Sequence, residues 1–269
     1  MTHIQAKPKP TVCFSKHLES EHKDLYLSLK DILESKDFSV RLLEDNKDIW
    51  MRDFMPLKVG EKYLQYRYEP DYLSKKLEYQ TETSKPIKEL GIKAEKLDLN
   101  LDGGNAVMYE DTIIMTDKIY KENENKGLDY NKLKNILSDF TKIVVIPWDK
   151  TEKYGHTDGM VRFISKEHVL VNSTYDATFK KKLHDSLEKN GLKVTELKLK
   201  EDTEYAWGYI NFIQIRDLII MPDIDKVNNN YVKEQLQSLF PQCSVEMSGV
   251  NTRTLLKKGG GLNCISWEY

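Results

Sequence analysis

Cysteine is scarce in this chain. Only Cys13, Cys243 and Cys264 occur among 269 residues, an odd set with no Cys-x-x-Cys spacing. That argues against a disulfide framework and against a cysteine-ligated zinc site, and makes a reducing, cytoplasmic setting the default. Long apolar runs are also missing. Nothing approaches the ~20 residues of a membrane span, and the opening MTHIQAKPKPTVCF has no apolar stretch of the kind a signal peptide carries. Neither sign of charge dominates, with 43 acidic against 41 basic residues. No field of the whole molecule therefore points to nucleic acid or to an anionic membrane. No Gly-, Ser- or Pro-rich tract marks a linker, so one domain over residues 1–269 is expected, although the length also suffices for two small ones.

An ordinary apolar fraction of 39% is present, enough for a sizeable core. Apolar residues at three- and four-residue steps predict helices over 17–35, 72–90, 129–140, 177–190 and 229–240. Between them lie short strand-like runs: VCF, FSVRLL, AVMY, TIIM, KIVVIP, MVRFI, HVLV, FIQI, DLIIM and CSVEM. The spacings around Glu110-Asp111 and Arg216-Asp217 are those of hairpins. The polar stretch 118–129 reads as a solvated loop or helix entry. The helix starts recur at a near-constant interval, which fits five α/β units of one sheet and one helix each. An α+β fold with accidental spacing fits the same pattern, because the repeat is one of pattern and not of sequence.

Several short segments carry residue types suited to chemistry. Gly259-Gly260-Gly261 leads into Leu262-Asn263-Cys264-Ile265, which has the composition of a short strand. A thiol beside such an open segment can approach a substrate carbon closely, whereas a buried structural cysteine is the common alternative. In Gly155-His156-Thr157-Asp158-Gly159, an extended backbone would turn His156 and Asp158 to one face. A carboxylate there would stabilise the imidazolium and suit it to acid/base work. His-x-Asp also begins a two-His-one-carboxylate metal site, with His168 or His184 as third ligand, and a purely structural pair stays open too. Trp50 and Asp53 share the segment before Pro56 and together suit a planar cation. A core tryptophan beside an Arg52–Asp53 pair is the alternative. Asp102 begins a turn, Asp-Gly-Gly-Asn, and Asn211 stands at a predicted strand start, where backbone capping is the commoner duty.

Taken in order, Trp50-Met51-Arg52-Asp53, Asp102-Gly103-Gly104-Asn105, Gly155-His156-Thr157-Asp158, Tyr209-Ile210-Asn211-Phe212 and Gly259-Gly260-Gly261-Leu262-Asn263-Cys264 resemble the agmatine deiminase and bacterial-type peptidylarginine deiminase family. The resemblance spans nearly the whole chain. It implies a five-fold pseudo-symmetric α/β propeller (pentein) of ββαβ units around a central active site. It also implies Cys264 as nucleophile, His156 as general acid/base, and Asp53 and Asp158 as carboxylates gripping a guanidinium. Trp50 would line the pocket, completed by Asn211 and the Asp102 turn. The sequence departs from the family at Met55, where Gly usually precedes the proline, at Asn263, where His usually precedes the nucleophile, and in Ile265-Ser266-Trp267.

The implied reaction is hydrolysis of a guanidino group (of agmatine, arginine or an arginyl peptide) to a ureido product and ammonia, without metal or organic cofactor. Amidino transfer from the same site, and binding of a guanidino ligand without turnover, are the alternatives. Arg67 would take a substrate carboxylate if it faced the pocket, or pair with Glu69 or Asp71 if it did not. A homo-oligomer is left open.

Overall fold

The computed structural model describes residues 9–269. The first eight positions, and with them most of the stretch read for a signal peptide, lie outside the described residues. The first unit begins with β1 (Thr11–Ser15), which runs through α1 (Lys16–Glu21) and α2 (Lys23–Ser35) into β2 (Ser39–Leu43), parallel to β1. A short helix, α3 (Met51–Phe54), leads to the second unit: β3 (Leu57–Val59), β4 (Lys62–Arg67), α4 (Ser84–Leu90) and β5 (Glu95–Asn100). The third holds β6 (Val107–Tyr109), β7 (Thr112–Thr116), α5 (Lys118–Glu122), α6 (Tyr130–Ile136) and β8 (Lys142–Ile146). The fourth comprises β9 (Val161–Ser165), β10 (His168–Asn172), α7 (Ala177–Lys189) and β11 (Lys193–Leu197). The fifth is β12 (Ile213–Ile215), β13 (Leu218–Asp223), α8 (Asn229–Leu239) and β14 (Ser244–Asn251), followed by α9 (Arg253–Lys257). Finally β15 (Trp267–Glu268) runs antiparallel to β1, placing Trp267 opposite Cys13 and completing the first sheet.

Each of the five sheets is therefore an antiparallel pair, a hairpin in all but the first, plus a third strand that returns in parallel after a helix, the expected ββαβ unit. The central strands β1, β7, β10 and β13 are buried along nearly their whole length. Strands covered on both faces need continuous apolar runs, and VCF, TIIM, VLV and LIIM supply them. The apolar clusters cross unit boundaries. One joins Val107 and Ile114 to Val161, Val169 and Leu183, so the third and fourth units share a core. Another joins Phe14 and Leu29 to Ile213 and Ile220, tying the first unit to the fifth. With β15 on β1, these shared cores close the ring.

The helix predicted over 72–90 is the main departure. Only Ser84–Leu90 is α-helical, preceded by 3-10 turns at Asp71–Leu73 and Leu77–Tyr79. Pro86 explains the late start, since proline is tolerated in a helix only within its first turn. The 17–35 helix breaks at His22 into α1 and α2. The polar stretch 118–129 opens with α5, whose Lys118 is 1% exposed. Leu262–Ile265 is a buried turn and not a strand.

Candidate active site

Each connection from one unit to the next carries one of the polar groups singled out in the sequence. Asp53 lies on α3 between the first and second units, and Asp102 caps the 3-10 turn Gly103–Asn105 between the second and third. His156 and Asp158 belong to the turn at Thr157–Gly159, Asn211 ends the turn Ala206–Ile210, and Cys264 sits between β14 and β15. A ring of like units brings equivalent connections together at one end, so residues at 53, 102, 156, 211 and 264 converge.

The local scaffolding is mostly hydrogen-bonded backbone. The Tyr66 hydroxyl lies 2.7 Å from the carbonyls of both Asp53 and Met55, steadying α3. Asn105 Oδ1 accepts from the Thr116 N–H and the Thr157 hydroxyl, each at 2.8 Å, which ties the Asp102 turn to the His156 turn. Asn211 Oδ1 accepts from the N–H groups of Asn263 (3.0 Å) and Cys264 (3.3 Å), and its Nδ2 donates to the Asp158 carbonyl at 3.2 Å. Asn211 thereby shapes the turn that carries Cys264, the capping duty weighed for it from sequence. The Arg52 N–H donates to the Cys264 carbonyl at 2.9 Å. Two glycines are required by close approach. A Cβ on Gly260 would lie 2.2 Å from the Trp50 ring, and one on Gly104 would lie 2.5 Å from His156 Nδ1.

His156 is held between two carboxylates. Its Nε2 is 2.9 Å from Asp102 Oδ2, and its Nδ1 is 3.6 Å from Asp53 Oδ1. Asp158 instead accepts from Asn263 Nδ2 at 2.7 Å and from the Cys264 thiol at 3.4 Å. The sequence reading had paired His156 with Asp158. That pairing needed an extended backbone, and a 3-10 turn is found there. Asn263, which stands where the resembling family usually has His, positions Asp158.

Burial alone would lower the proton affinity of His156, but Asp53, Asp102 and Asp158 outweigh it and hold the imidazolium up to about 10. Burial pushes the Asp53 carboxyl up to about 8, helped by Asp102 and Asp158 and opposed by His156. Burial, then Asp158 and Asp53, raise the Cys264 thiol well above its ordinary value. Asp53 Oδ1 and Asp102 Oδ1 are buried without a hydrogen-bond partner in the protein. An arrangement of three buried carboxylates around one imidazolium has cation-binding capacity to spare.

Two cavities open onto this cluster, and Cys264 and His156 line both. One, of about 390 Å³, is also lined by Trp50, Asp53, Tyr68 and Tyr72. The other, of about 400 Å³, includes Asp158, Asn211, Trp207 and Tyr175. Arg67 lines neither; it points elsewhere and pairs with Asp98 at 3.2 Å, not with Glu69 or Asp71. His168 bonds Thr195 and His184 faces Glu196, so neither joins His156 and Asp158 as a third ligand. Three contributors went unread in the sequence. Tyr72 and Tyr154 pack edge to face at 5.0 Å and both meet the His156 ring. Lys118 donates to the Tyr154 carbonyl at 2.8 Å and pairs with Glu122 at 3.0 Å. The four-residue spacing of Lys118 and Glu122 on a helix was the available signal.

The family model for Porphyromonas-type peptidyl-arginine deiminase matches residues 2–269. A provisionally named agmatine deiminase 1 of Listeria monocytogenes is 26% identical over 212 residues, covering 64% of this chain and 58% of that protein. A provisionally named agmatine deiminase of Shewanella baltica is 24% identical, covering 68% of this chain and 60% of that protein. The chain thus spans less than two thirds of the length of the curated relatives it matches. Among solved structures, the agmatine deiminase of C. jejuni superposes with a TM-score of 0.73 at 21% identity, covering 96% of this chain and 92% of that one. The agmatine deiminase of Enterococcus faecalis superposes with a TM-score of 0.73 at 16% identity, covering 97% of this chain and 93% of that one. These likenesses establish a shared fold.

Proposed function

Because the chain belongs to the Porphyromonas-type peptidyl-arginine deiminase family, we propose that it hydrolyses the guanidino group of a small-molecule or arginyl substrate to a ureido group and ammonia, acting as one catalytic domain. The observation that carries this reading is that Cys264 and His156 line two cavities together, one also lined by Asp53 and the other by Asp158, with Asp102 bonded to His156 behind them and a carboxylate oxygen of Asp53 and of Asp102 buried without a partner. A guanidinium is planar and cationic and presents N–H groups on every side, which suits it to carboxylates on two sides and the Trp50 ring at the wall.

The Cys264 thiol is held protonated by burial and by its carboxylate neighbours. A bound guanidinium offsets those neighbours, so the substrate itself promotes the thiolate. The thiolate then attacks the central carbon, and a C–N bond breaks as His156 gives its proton to the departing ammonia. The product of this half is a thiouronium on Cys264. A water that loses its proton to His156 attacks the same carbon, the C–S bond breaks, and a ureido product leaves. Acid/base work by one histidine contributes about 10²–10⁴-fold.

Arg67 does not serve as an anchor for a substrate carboxylate, but the mouth of the Trp50-lined cavity offers others. Lys47, Lys76, Lys153 and Lys258 line it against Glu21 and Asp48. Lys258 is paired with Glu21 at 2.7 Å, and Asp48 is pushed up to about 6, chiefly by burial. The balance favours a substrate whose far end is a carboxylate. Agmatine, arginine and a C-terminal arginyl peptide, each incubated with chelator-treated protein and with Cys264→Ala, test both levels. Cys264-dependent ammonia and ureido product support deimination, with kcat/KM several-fold higher for the carboxylate-bearing substrates. Guanidino-carbon transfer to an added amine instead of water would replace hydrolysis by amidino transfer. No release from any of the three sinks the assignment.

A further inference from the structure

Behind the nucleophile turn lies a separate cavity of about 280 Å³, lined by Arg52, Arg162, Arg216, Gln214, Asn263 and Glu268 among others. It shares no lining residue with the two cavities that reach Cys264. Its walls come from β6, β9, β12 and β15, with Arg52 from α3 and Asn263 from the turn that carries Cys264. Three guanidinium groups meet one carboxylate here. Glu268 pairs with Arg52 at 2.7 Å, leaving Arg162 and Arg216 without an acidic side-chain partner among the described residues.

Arg162 is the informative member. Its guanidinium lies over the Phe212 ring, 4.8 Å from the centroid, and donates from Nη2 to the Phe212 carbonyl. Its Nε is buried without a hydrogen-bond partner. Leaving such a donor unpaired is costly, and more so when it is charged. Burial foremost, and the neighbouring Arg52, pull Arg162 down to about 10 against the attraction of Asp158. A group in this state gains from an anion, since no ion pair neutralises it among the described residues.

We propose that this cavity is a binding site for a small tetrahedral oxyanion of the phosphate or sulfate class, held by Arg52, Arg162 and Arg216, and that its occupancy is felt at the nucleophile. The inference does not depend on the deimination reaction. Arginine is the side chain suited to such a ligand, because its donor fork matches two oxygens at once. The link to the nucleophile is short. Arg52 donates its backbone N–H to the Cys264 carbonyl, and its Nε lies 3.5 Å from the Asn263 carbonyl. A negative charge added here opposes formation of the Cys264 thiolate, so the anion slows alkylation of that thiol at a fixed pH without competing for the guanidinium site.

Calorimetric titration with sodium phosphate, against sodium chloride at matched ionic strength, tests binding directly. The wild type is expected to bind phosphate saturably, and Arg216→Gln, a change at an exposed residue, about tenfold more weakly, as for loss of one charged hydrogen bond. Arg162→Gln is expected to lose binding if it folds. Lys258→Gln, at the mouth of the catalytic cavity, is expected to bind like the wild type. Equal binding by Arg216→Gln, loss in Lys258→Gln, or no saturable heat would overturn the site. Phosphate binding that leaves the rate of Cys264 alkylation unchanged would overturn its connection to the nucleophile.

Discussion

The two faces of the turn that holds Cys264 are charged oppositely. In front stand Asp53 and Asp158 with a single imidazolium that Asp102 bonds, and behind stand Arg52, Arg162 and Arg216 with a single carboxylate. The front set, with Arg52 and Arg162 of the rear set, is buried or half-buried and poorly screened by solvent, whereas Arg216 is exposed. The front cluster has carboxylate oxygens left over, and the rear cluster has a guanidinium N–H left over. The contrast separates two duties that one thiol needs. In the proposed reaction the front gathers a cation to the thiol, while the rear supplies positive charge that partly offsets the carboxylates pressing on it. The hydrogen bonds follow the same division, because Arg52 reaches the turn through its backbone and Asp158 through the thiol itself.

The largest test of the front face is Cys264→Ala. It should lower turnover by about 10³-fold or more, as removal of a nucleophile does elsewhere, and abolish any covalent adduct seen by mass spectrometry. Asp53→Asn should cost about 10²-fold in kcat/KM while leaving the fold intact. The folded-state value of Asp53, about 8, exceeds that of an unfolded aspartate, so its ionisation costs stability increasingly as pH rises from about 4 to 8. Thermal unfolding at pH 5 and pH 8 should therefore show the wild type losing stability relative to Asp53→Asn. A parallel fall in both proteins would remove the burial argument.

Alkylation of Cys264 followed against pH should have a midpoint above the ordinary thiol value of about 8.5. A guanidinium ligand should move that midpoint down by about one unit, a tenfold change in rate at fixed pH. Ligand binding with an unmoved midpoint would refute substrate-promoted thiolate formation. Arg52→Met tests the rear face and should be the mildest. It leaves Glu268, 41% exposed on its side chain, without its partner, a loss of about 1–2 kcal/mol in urea unfolding, between the exposed and buried limits for such pairs.

Much of this was legible because the ring repeats its connections at a constant spacing. The five groups at 53, 102, 156, 211 and 264 could be marked as chemistry-bearing from residue type, and the helices at α6, α7 and α8 followed from apolar periodicity. Partnerships were less legible. His156 bonds Asp102 from another connection, and Arg67 finds Asp98 on the neighbouring strand. Such contacts depend on the ring and leave no local trace. Cys264 misled for another reason: Leu262 and Ile265 are apolar because the turn is buried, and buried turns and buried strands share a composition. The hairpins explain why the repeat is invisible as sequence. Gly60, Glu110 and Arg216 occupy the same first position of their turns with φ of 58°, 51° and 51°. Only one of the three is the glycine that this conformation favours, so the backbone repeats where the side chains do not.

The pairing of β15 with β1 also has a kinetic side. Trp267 lies opposite Cys13 across almost the entire chain, the kind of contact that forms late because so much loop must first be closed. The turn that carries Cys264 immediately precedes β15, and Arg52 grips it only once α3 is beside it. Completion of the ring and burial of the Cys264 thiol are thus one event. During refolding, protection of Cys264 from a thiol reagent would serve as a clock for closure, running behind the protection of amides in α7 and β10.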